Sequence, residues 1–317
     1  MLLSVLYAVP IMKVLVAGGA GFIGSHLVDL LVSEGFDVVV VDNLFSGNLK
    51  NLENSIDKIK FFNLDVSNLD SLSKIFNDND FDVVVNLVAR GDLASSVKDP
   101  ISYHNYNVNT NLNLLYLFSK HASKDSHYIF TSSGSVYKDL ERPLIEEDEL
   151  QPLSPYAATK LISEIYNNTF GIVYGFKVTN LRLFNVYGPR RERSKYCGVV
   201  TRFLTKVYKD EPVTVFGNNT RDYIYVEDVI NVMLKVIEKG ITGTYNVGTG
   251  VGITNLKLLE IIEKVLGKRA KVIYEKERPG DSKYRVANVK KLKEIIGYTP
   301  RIGLEEGIRK LKQYFGY

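Results

Sequence analysis

Short apolar runs alternate with helical patterns through the first half of the chain. Each run is rich in Val, Ile, Leu or Phe and is followed by a polar or helical connector; the runs cover 13–18, 37–42, 59–66, 81–89, 127–133 and 177–184. Continuous apolar runs separated by helices are typical of a parallel sheet that is covered on both faces. The pattern therefore predicts an α/β fold whose ligands bind at the carboxyl ends of the strands.

The alternation breaks after Asn185, where the turn-rich segment 187–198 precedes helices and short strands. We expect one domain over 12–184 and a smaller one, mainly 185–317, lying over the strand tips. The apolar spacing in 223–240 predicts a helix, and 223–247 is expected to return to the first domain. No internal repeat or low-complexity segment is visible.

Composition narrows the class of protein. The chain has 317 residues, of which 45% are apolar and 24% are charged, as in globular proteins. A net charge of +4 without a basic stripe argues against a nucleic-acid surface. The single cysteine, Cys197, excludes an internal disulfide and fits a cytoplasmic protein. The apolar opening 1–11 is too short to span a membrane; we expect the fold to begin at Met12, the alternative being a weak signal segment.

Three glycines, Gly18, Gly21 and Gly24, lie between the first strand and a helix predicted over 22–35. Such glycines permit a tight turn, a close approach to a pyrophosphate and close helix–sheet packing, although a turn without a ligand would also use them. Asp42 ends the second strand, where a carboxylate can bind ribose hydroxyls and repel a 2′-phosphate. The sequence therefore predicts NAD rather than NADP. Asp65 is expected either to contact adenine or to cap its strand.

Tyr156 and Lys160 are four residues apart, on one face of a predicted helix. A tyrosine is a useful base only when its pKa is lowered from about 10, which a neighbouring ammonium group can do. Ser133 ends a neighbouring strand, and its hydroxyl can bond the same substrate oxygen. A surface Tyr–Lys pair is the alternative, but we predict that these three residues form one catalytic site.

These motifs, together with Asn107 and the segment 181–190, resemble those of the extended short-chain dehydrogenase/reductases. Within that superfamily the chain is most similar to nucleotide-sugar epimerases of the UDP-glucose 4-epimerase kind, from about Met12 to the C-terminus. The resemblance implies a Rossmann-type doubly wound parallel sheet with a smaller C-terminal substrate-binding domain. It also implies NAD-dependent epimerisation at C4 of a nucleotide-diphosphate sugar, with UDP-glucose and UDP-galactose favoured, through a transient 4-keto sugar.

The resemblance also implies roles for single residues. NAD contacts are implied for Gly18, Gly21, Phe22, Ile23, Gly24, Asp42, Asn43, Ser46, Gly47, Asp65, Val66, Leu87, Ala89, Asn107, Tyr156 and Lys160. Substrate contacts are implied for Ser133, Asn185, Phe216, Arg221, Arg278 and Asp281. Among these, Phe216 would lie by the nucleotide base, and Arg221 and Arg278 would clamp the diphosphate, although a surface ion pair is the alternative for each arginine. No metal ligand is implied, and a homodimer through helices near 105–122 and 156–172 is expected.

Some positions depart from the pattern of the resembled family, namely Arg90, Lys138, Arg285 and Asn288. Gly134 and Ser135 follow Ser133 at the positions where the 4,6-dehydratases of the superfamily carry an Asp–Glu pair. Neither residue can do the work of a carboxylate near neutral pH, although Glu146 or Glu147 could supply one from elsewhere. An epimerase is therefore favoured over a 4,6-dehydratase or a decarboxylating relative, and the intact set of Ser133, Tyr156 and Lys160 argues against a non-catalytic NAD-binding protein.

Overall fold

A computed structural model describes residues 11–191, 197–277 and 280–317. In the first half the elements are β1 Lys13–Ala17, α1 Phe22–Ser33, β2 Asp37–Asp42, β3 Lys60–Asn63, α2 Leu69–Asn77, β4 Val83–Asn86, α3 Leu93–Lys98, α4 Pro100–His121, β5 His127–Ser133, α5 Pro155–Tyr174 and β6 Lys177–Leu183. In the second half they are β7 Asn185–Tyr187, α6 Val199–Tyr208, β8 Val213–Phe216, β9 Thr220–Tyr225, α7 Val226–Lys239, β10 Gly243–Val247, β11 Gly252–Thr254, α8 Asn255–Leu266, β12 Val272–Glu275, β13 Tyr284–Arg285 and α9 Leu304–Phe315. Single turns of 3₁₀-helix cover Leu49–Leu52, Ile56–Lys58 and Gly134–Val136, and a π-helical turn covers Leu292–Ile296.

The central sheet is parallel and has the strand order β3-β2-β1-β4-β5-β6-β10. Its central strands are apolar on both sides because helices cover both faces. Along β1, Val14 and Val16 belong to the core completed by α1 and α7, whereas Leu15 belongs to the core completed by α2 and α4. The predicted doubly wound α/β fold is therefore confirmed.

The second half forms smaller sheets beside the strand tips. β9 pairs with β7, β11 and β13, and β8 pairs with β12. β10, in contrast, lies parallel to β6 at the edge of the central sheet. Among the described residues, no helix is long and apolar enough to cross a membrane.

The helix predicted over 223–240 begins too early. Residues Tyr223–Tyr225 complete β9, with Tyr223 opposite Asn185 and Tyr225 opposite Tyr187, and α7 starts only at Val226. The aromatic and β-branched sequence Tyr-Ile-Tyr fits a strand that is buried on both faces, which the helical periodicity of the following residues concealed.

Candidate active site

The strand tips of the central sheet open on a cavity that the second half of the chain closes from above. It is lined by most residues predicted from the sequence, namely Gly18, Gly21, Phe22, Ile23, Gly24, Asp42, Asn43, Ser46, Val66, Leu87, Ala89, Ser133, Tyr156, Lys160, Asn185, Arg221 and Asp281. Four predicted residues lie behind or beside this lining, namely Gly47, Asp65, Asn107 and Phe216. Arg278 lies outside the described residues.

The turn between β1 and α1 depends on its glycines. Gly18 has a φ of +83°, which favours glycine, and a Cβ there would lie 3.1 Å from the carbonyl carbon of Leu87. A Cβ on Gly24 would lie only 2.2 Å from the carbonyl oxygen of Gly18, so α1 packs against the turn as closely as backbone allows. Gly21 is the N-cap of α1 and has no side chain to occupy the first-turn N–H groups. The turn therefore fits a pyrophosphate at the helix N-terminus.

Asp42 lines the cavity at the tip of β2. Its two carboxylate oxygens accept hydrogen bonds from the backbone N–H groups of Ala20, at 3.0 Å, and Leu44, at 2.7 Å. A carboxylate has about four acceptor positions, so acceptor capacity remains for a ribose hydroxyl. A Cβ on Gly47 would lie 2.9 Å from a carboxylate oxygen of Asp42, so this glycine lets the following loop pass close to the carboxylate.

Asp65 and Asn107, for which cofactor contacts are predicted, support the cavity wall through their hydrogen bonds. Asp65 accepts a 2.7 Å hydrogen bond from the amide of Asn43, which lines the cavity. The Asn107 oxygen accepts from the backbone N–H of Arg90 at 2.8 Å, and its amide donates to Thr159 Oγ1 at 2.9 Å. Asn107 thereby fixes the chain after β4 against α5.

Ser133, Tyr156 and Lys160 line the cavity where β5 and α5 meet. Ser154 caps α5 by accepting a 3.2 Å hydrogen bond from Ala157 N, and the cap places Tyr156 in the first turn. Lys160 Nζ donates to the Thr131 carbonyl oxygen at 2.7 Å and lies 4.6 Å from the centroid of the Phe130 ring. The structure therefore brings the three predicted side chains together in one cavity.

The positive charge that lowers the pKa of Tyr156 comes from Arg191, whereas the sequence predicted Lys160 for this role. Burial raises the pKa of Tyr156, while the hydroxyl of Ser133 and the positive charge of Arg191 lower it. Burial lowers the pKa of Lys160 to about 7, so its charge is only partial near neutral pH. Arg191, which the sequence analysis missed, is therefore the more constant positive charge near the phenol.

Arg191 is held above the first turn of α1. Its guanidinium carbon lies 5.2 Å from the centroid of the Phe22 ring, and Nη1 donates to the Val186 carbonyl oxygen. Its neighbour Arg190 turns away and forms a 2.7 Å ion pair with Asp29. A pair of arginines directly after a strand tip was the available sequence signal, but it does not tell which of the two faces the cavity.

Two further arginines line the opposite side of the cavity. Arg221 Nη2 donates to the Ser282 carbonyl oxygen at 2.7 Å. Arg285 Nε donates to Ser282 Oγ at 3.0 Å, and its Nη1 donates to the Gly134 carbonyl oxygen. Burial and the neighbouring Arg221 lower the pKa of Arg285 to about 10. Phe216, at the end of β8, lies opposite Glu275 of β12, outside the cavity lining.

The space beside Ser133 leaves little room for an acid. A Cβ on Gly134 would lie 3.1 to 3.2 Å from the Phe184 ring. Glu146 accepts a 2.8 Å hydrogen bond from the backbone N–H of Asn246, and Glu147 lies 3.4 Å from Lys291 Nζ. Neither glutamate lines the cavity, whose described carboxylates are Asp42 and Asp281.

Comparison with known proteins gives consistent results. The model of the NAD-dependent epimerase/dehydratase family matches residues 14–248. A UDP-glucose 4-epimerase structure from Thermotoga maritima, with UDP-glucose, is 36% identical with a TM-score of 0.91, covering 96% of this chain and 99% of that one. A UDP-glucose 4-epimerase structure from Thermus thermophilus, in complex with NAD, is 34% identical with a TM-score of 0.90 and the same coverage. The UDP-glucuronate 4-epimerase of Thermodesulfobacterium geofontis is 32% identical over 93% of this chain and 94% of its own length.

Proposed function

The chain belongs to the NAD-dependent epimerase/dehydratase family, with NAD as its cofactor, and we propose that it inverts C4 of a nucleotide-diphosphate sugar. UDP-glucose and UDP-galactose are the favoured pair. The observation that carries this proposal is the convergence of Ser133, Tyr156 and Lys160 on the cavity that the glycine turn also lines. The similarity to UDP-glucose 4-epimerases over nearly the whole chain supports it.

In this proposal Tyr156 removes the proton from the C4 hydroxyl, and Ser133 donates a hydrogen bond to the same oxygen. NAD held by the glycine turn and Asp42 would supply reversible hydride chemistry at C4. Arg191 and the protonated fraction of Lys160 stabilise the phenolate, since an adjacent positive charge favours the charged form. Arg221 holds the substrate diphosphate while the 4-keto sugar turns over.

The products distinguish epimerisation from dehydration. Dehydration needs an acid and a base near C5 and C6, and Gly134 and Ser135 supply neither. We expect incubation with UDP-, dTDP- and GDP-sugars to yield C4 epimers by chromatography. We expect no 4-keto-6-deoxy sugar, which alkaline treatment reveals by ultraviolet absorbance. An alkaline signal that grows with reaction time would overturn the epimerase assignment in favour of a dehydratase.

Arg285 favours a second candidate, a nucleotide-linked hexuronate. Its buried guanidinium lines the cavity beside Ser133, and its hydrogen bonds go to a carbonyl and a hydroxyl rather than to a carboxylate. A carboxylate at C6 of the sugar would be a suitable partner for this charge. UDP-glucuronate therefore belongs in the same substrate panel. A higher kcat/KM for UDP-glucuronate than for UDP-glucose would move the assignment to the second candidate.

We also propose that the protein is a homodimer through α4 and α5. Apolar side chains on these helices are exposed, including Ile165 and Ile172, which lie seven residues apart and so on one face of α5. Ile172 is 83% exposed and the adjacent Val173 is 66% exposed, and exposed apolar residues that cluster in this way mark protein interaction surfaces.

The double variant Ile165→Glu/Ile172→Glu is expected to sediment as a monomer where the parent protein sediments as a dimer, because four charges would meet in one interface. Ile273→Glu, at an exposed position on β12, is the matched control and should leave the sedimentation coefficient unchanged. A double variant that remains dimeric would exclude this face as the interface.

A further inference from the structure

Three side chains from three separate segments pack together at the end of the cavity near Asp42. Phe45 belongs to the loop after β2, Arg90 follows β4, and Tyr106 lies in α4. The Arg90 guanidinium carbon lies 5.0 Å from the centroid of the Phe45 ring and 4.9 Å from that of Tyr106. The two ring centroids are 6.3 Å apart. The guanidinium therefore contacts both rings, and these three residues are called the Arg90 stack.

Arg90 is tied to α4 independently of the rings. Its backbone N–H donates to Asn107 Oδ1 at 2.8 Å, and its Nη1 donates to Ser102 Oγ. Arg90 Nε is buried and has no hydrogen-bond partner among the described residues. The arginine is thus fixed on the α4 side of the cavity, with its guanidinium placed by packing on the two rings.

The loop of residues 43–48 lies on the other side of the stack. At the start of the loop, the backbone N–H of Leu44 donates a hydrogen bond to the Asp42 carboxylate. At its end, the backbone N–H of Asn48 donates a hydrogen bond to the Ala20 carbonyl oxygen, at a distance of 3.0 Å. Leu44 has a φ of +58°, a left-handed conformation that a leucine adopts only at a cost. Phe45 lies between these two hydrogen bonds, and its contact with Arg90 links the middle of the loop to the chain that follows β4.

Phe45 and Tyr106 both line the cavity, as do Asn43 and Ser46 of the same region. A cofactor whose ribose reaches Asp42 would therefore lie under this loop. We propose that Arg90 is a positioning residue that fixes the 43–48 loop over bound NAD and slows the release of NAD and NADH. Cation–π contacts of a partly desolvated arginine are strong enough for this role.

Slow release suits a redox-neutral reaction, because NADH that leaves before the second hydride transfer would strand the keto sugar. This reason rests on the proposed function, whereas the Arg90 stack itself requires only that NAD binds in the cavity. The test is therefore made on the protein with bound NADH and no sugar nucleotide, so that its outcome does not depend on the substrate assignment.

The dissociation rate of NADH is measured in a stopped-flow instrument by the loss of its fluorescence when excess NAD is added. Arg90→Gln removes the cation and should accelerate release about tenfold, a change equivalent to ~1.4 kcal/mol. Phe45→Leu removes one ring but leaves the bonds of Arg90 to α4, and should accelerate release to a similar extent. Arg269→Gln is the control, since Arg269 is 93% exposed and pairs with Glu263, and release should be unchanged.

The double variant decides whether the two residues act through one contact. Because both substitutions break the same stack, the Arg90→Gln/Phe45→Leu protein should release NADH no more than about twofold faster than either single variant. If folded Arg90→Gln releases NADH within twofold of the parent rate, the proposal is overturned. It is also overturned if the rate increase of the double variant equals the product of the increases of the two single variants. If Arg90→Gln fails to fold, Phe45→Leu alone decides, and an unchanged rate overturns the proposal. Faster release by both single variants, together with no epimer products from the parent protein, would support the role of Arg90 and count against the proposed function.

Discussion

Tyr156→Phe is expected to lower turnover at least about a hundredfold, the usual scale for removing a general base, while fold and NAD binding persist. The ring of Tyr156 is retained in the variant, so the packing around it is preserved. Only the hydroxyl that faces Ser133 in the cavity is lost. Turnover is followed by chromatography of the sugar nucleotides, and NAD binding is followed by titration with NADH.

The matched control is Tyr274→Phe, because Tyr274 is 70% exposed on β12, away from the cavity lining, and its variant should turn over normally. Circular dichroism and thermal unfolding establish that both proteins are folded. A Tyr156→Phe protein with turnover within tenfold of the parent would show that the base lies elsewhere. Asp281, the described carboxylate that lines the cavity besides Asp42, would then be the next residue to replace.

The sequence predicted the centre of the sheet well because β1, β2 and β4 are buried on both faces and therefore read as unbroken apolar runs. It failed at Tyr223–Tyr225, where a strand of the second sheet runs directly into α7. No turn residue separates β9 from α7, so the apolar spacing of α7 continues into the last residues of the strand and predicts helix there. Such junctions depend on tertiary pairing, here between Tyr223 and Asn185, and local pattern does not report it.

The sequence predicted those parts of the candidate site that lie within one short segment. It did not predict the parts that depend on packing between segments far apart in the chain. The glycine turn and the Tyr156–Lys160 pair are local motifs, and the structure places them as expected along the cavity. The positions of Arg191 and Arg285 depend on packing between distant segments, since Arg285 reaches the carbonyl oxygen of Gly134. Likewise, Asn107 matches a motif, yet its hydrogen bonds to Arg90 and Thr159 appear only once α4 and α5 are packed.

Lys160→Met is expected to stabilise the protein near pH 7 while lowering turnover at least about a hundredfold. Burial lowers the pKa of Lys160 from its usual 10.5 to about 7, so folding opposes its protonation. The variant loses the hydrogen bond to Thr131, a cost of about 1–3 kcal/mol when the acceptor is left without a partner. Removing the buried charge outweighs that loss, and we expect a net gain of about 1–3 kcal/mol in the free energy of unfolding.

The pH dependence tests the cause of this stabilisation. Between pH 7 and pH 10.5 the unfolded parent chain binds more protons at Lys160 than the folded chain does, so this lysine destabilises the fold less as the pH rises. The stability advantage of Lys160→Met should therefore shrink between pH 7 and pH 9, as measured by urea unfolding at both values. Lys264→Met, at an exposed lysine paired with Glu305, should change the free energy of unfolding by less than about 0.5 kcal/mol at either pH.

If Lys160→Met is no more stable than the parent at pH 7, or if its stability advantage grows toward pH 9, then Lys160 is charged at little cost in the folded protein. The site would then hold two full positive charges, Lys160 and Arg191, rather than one.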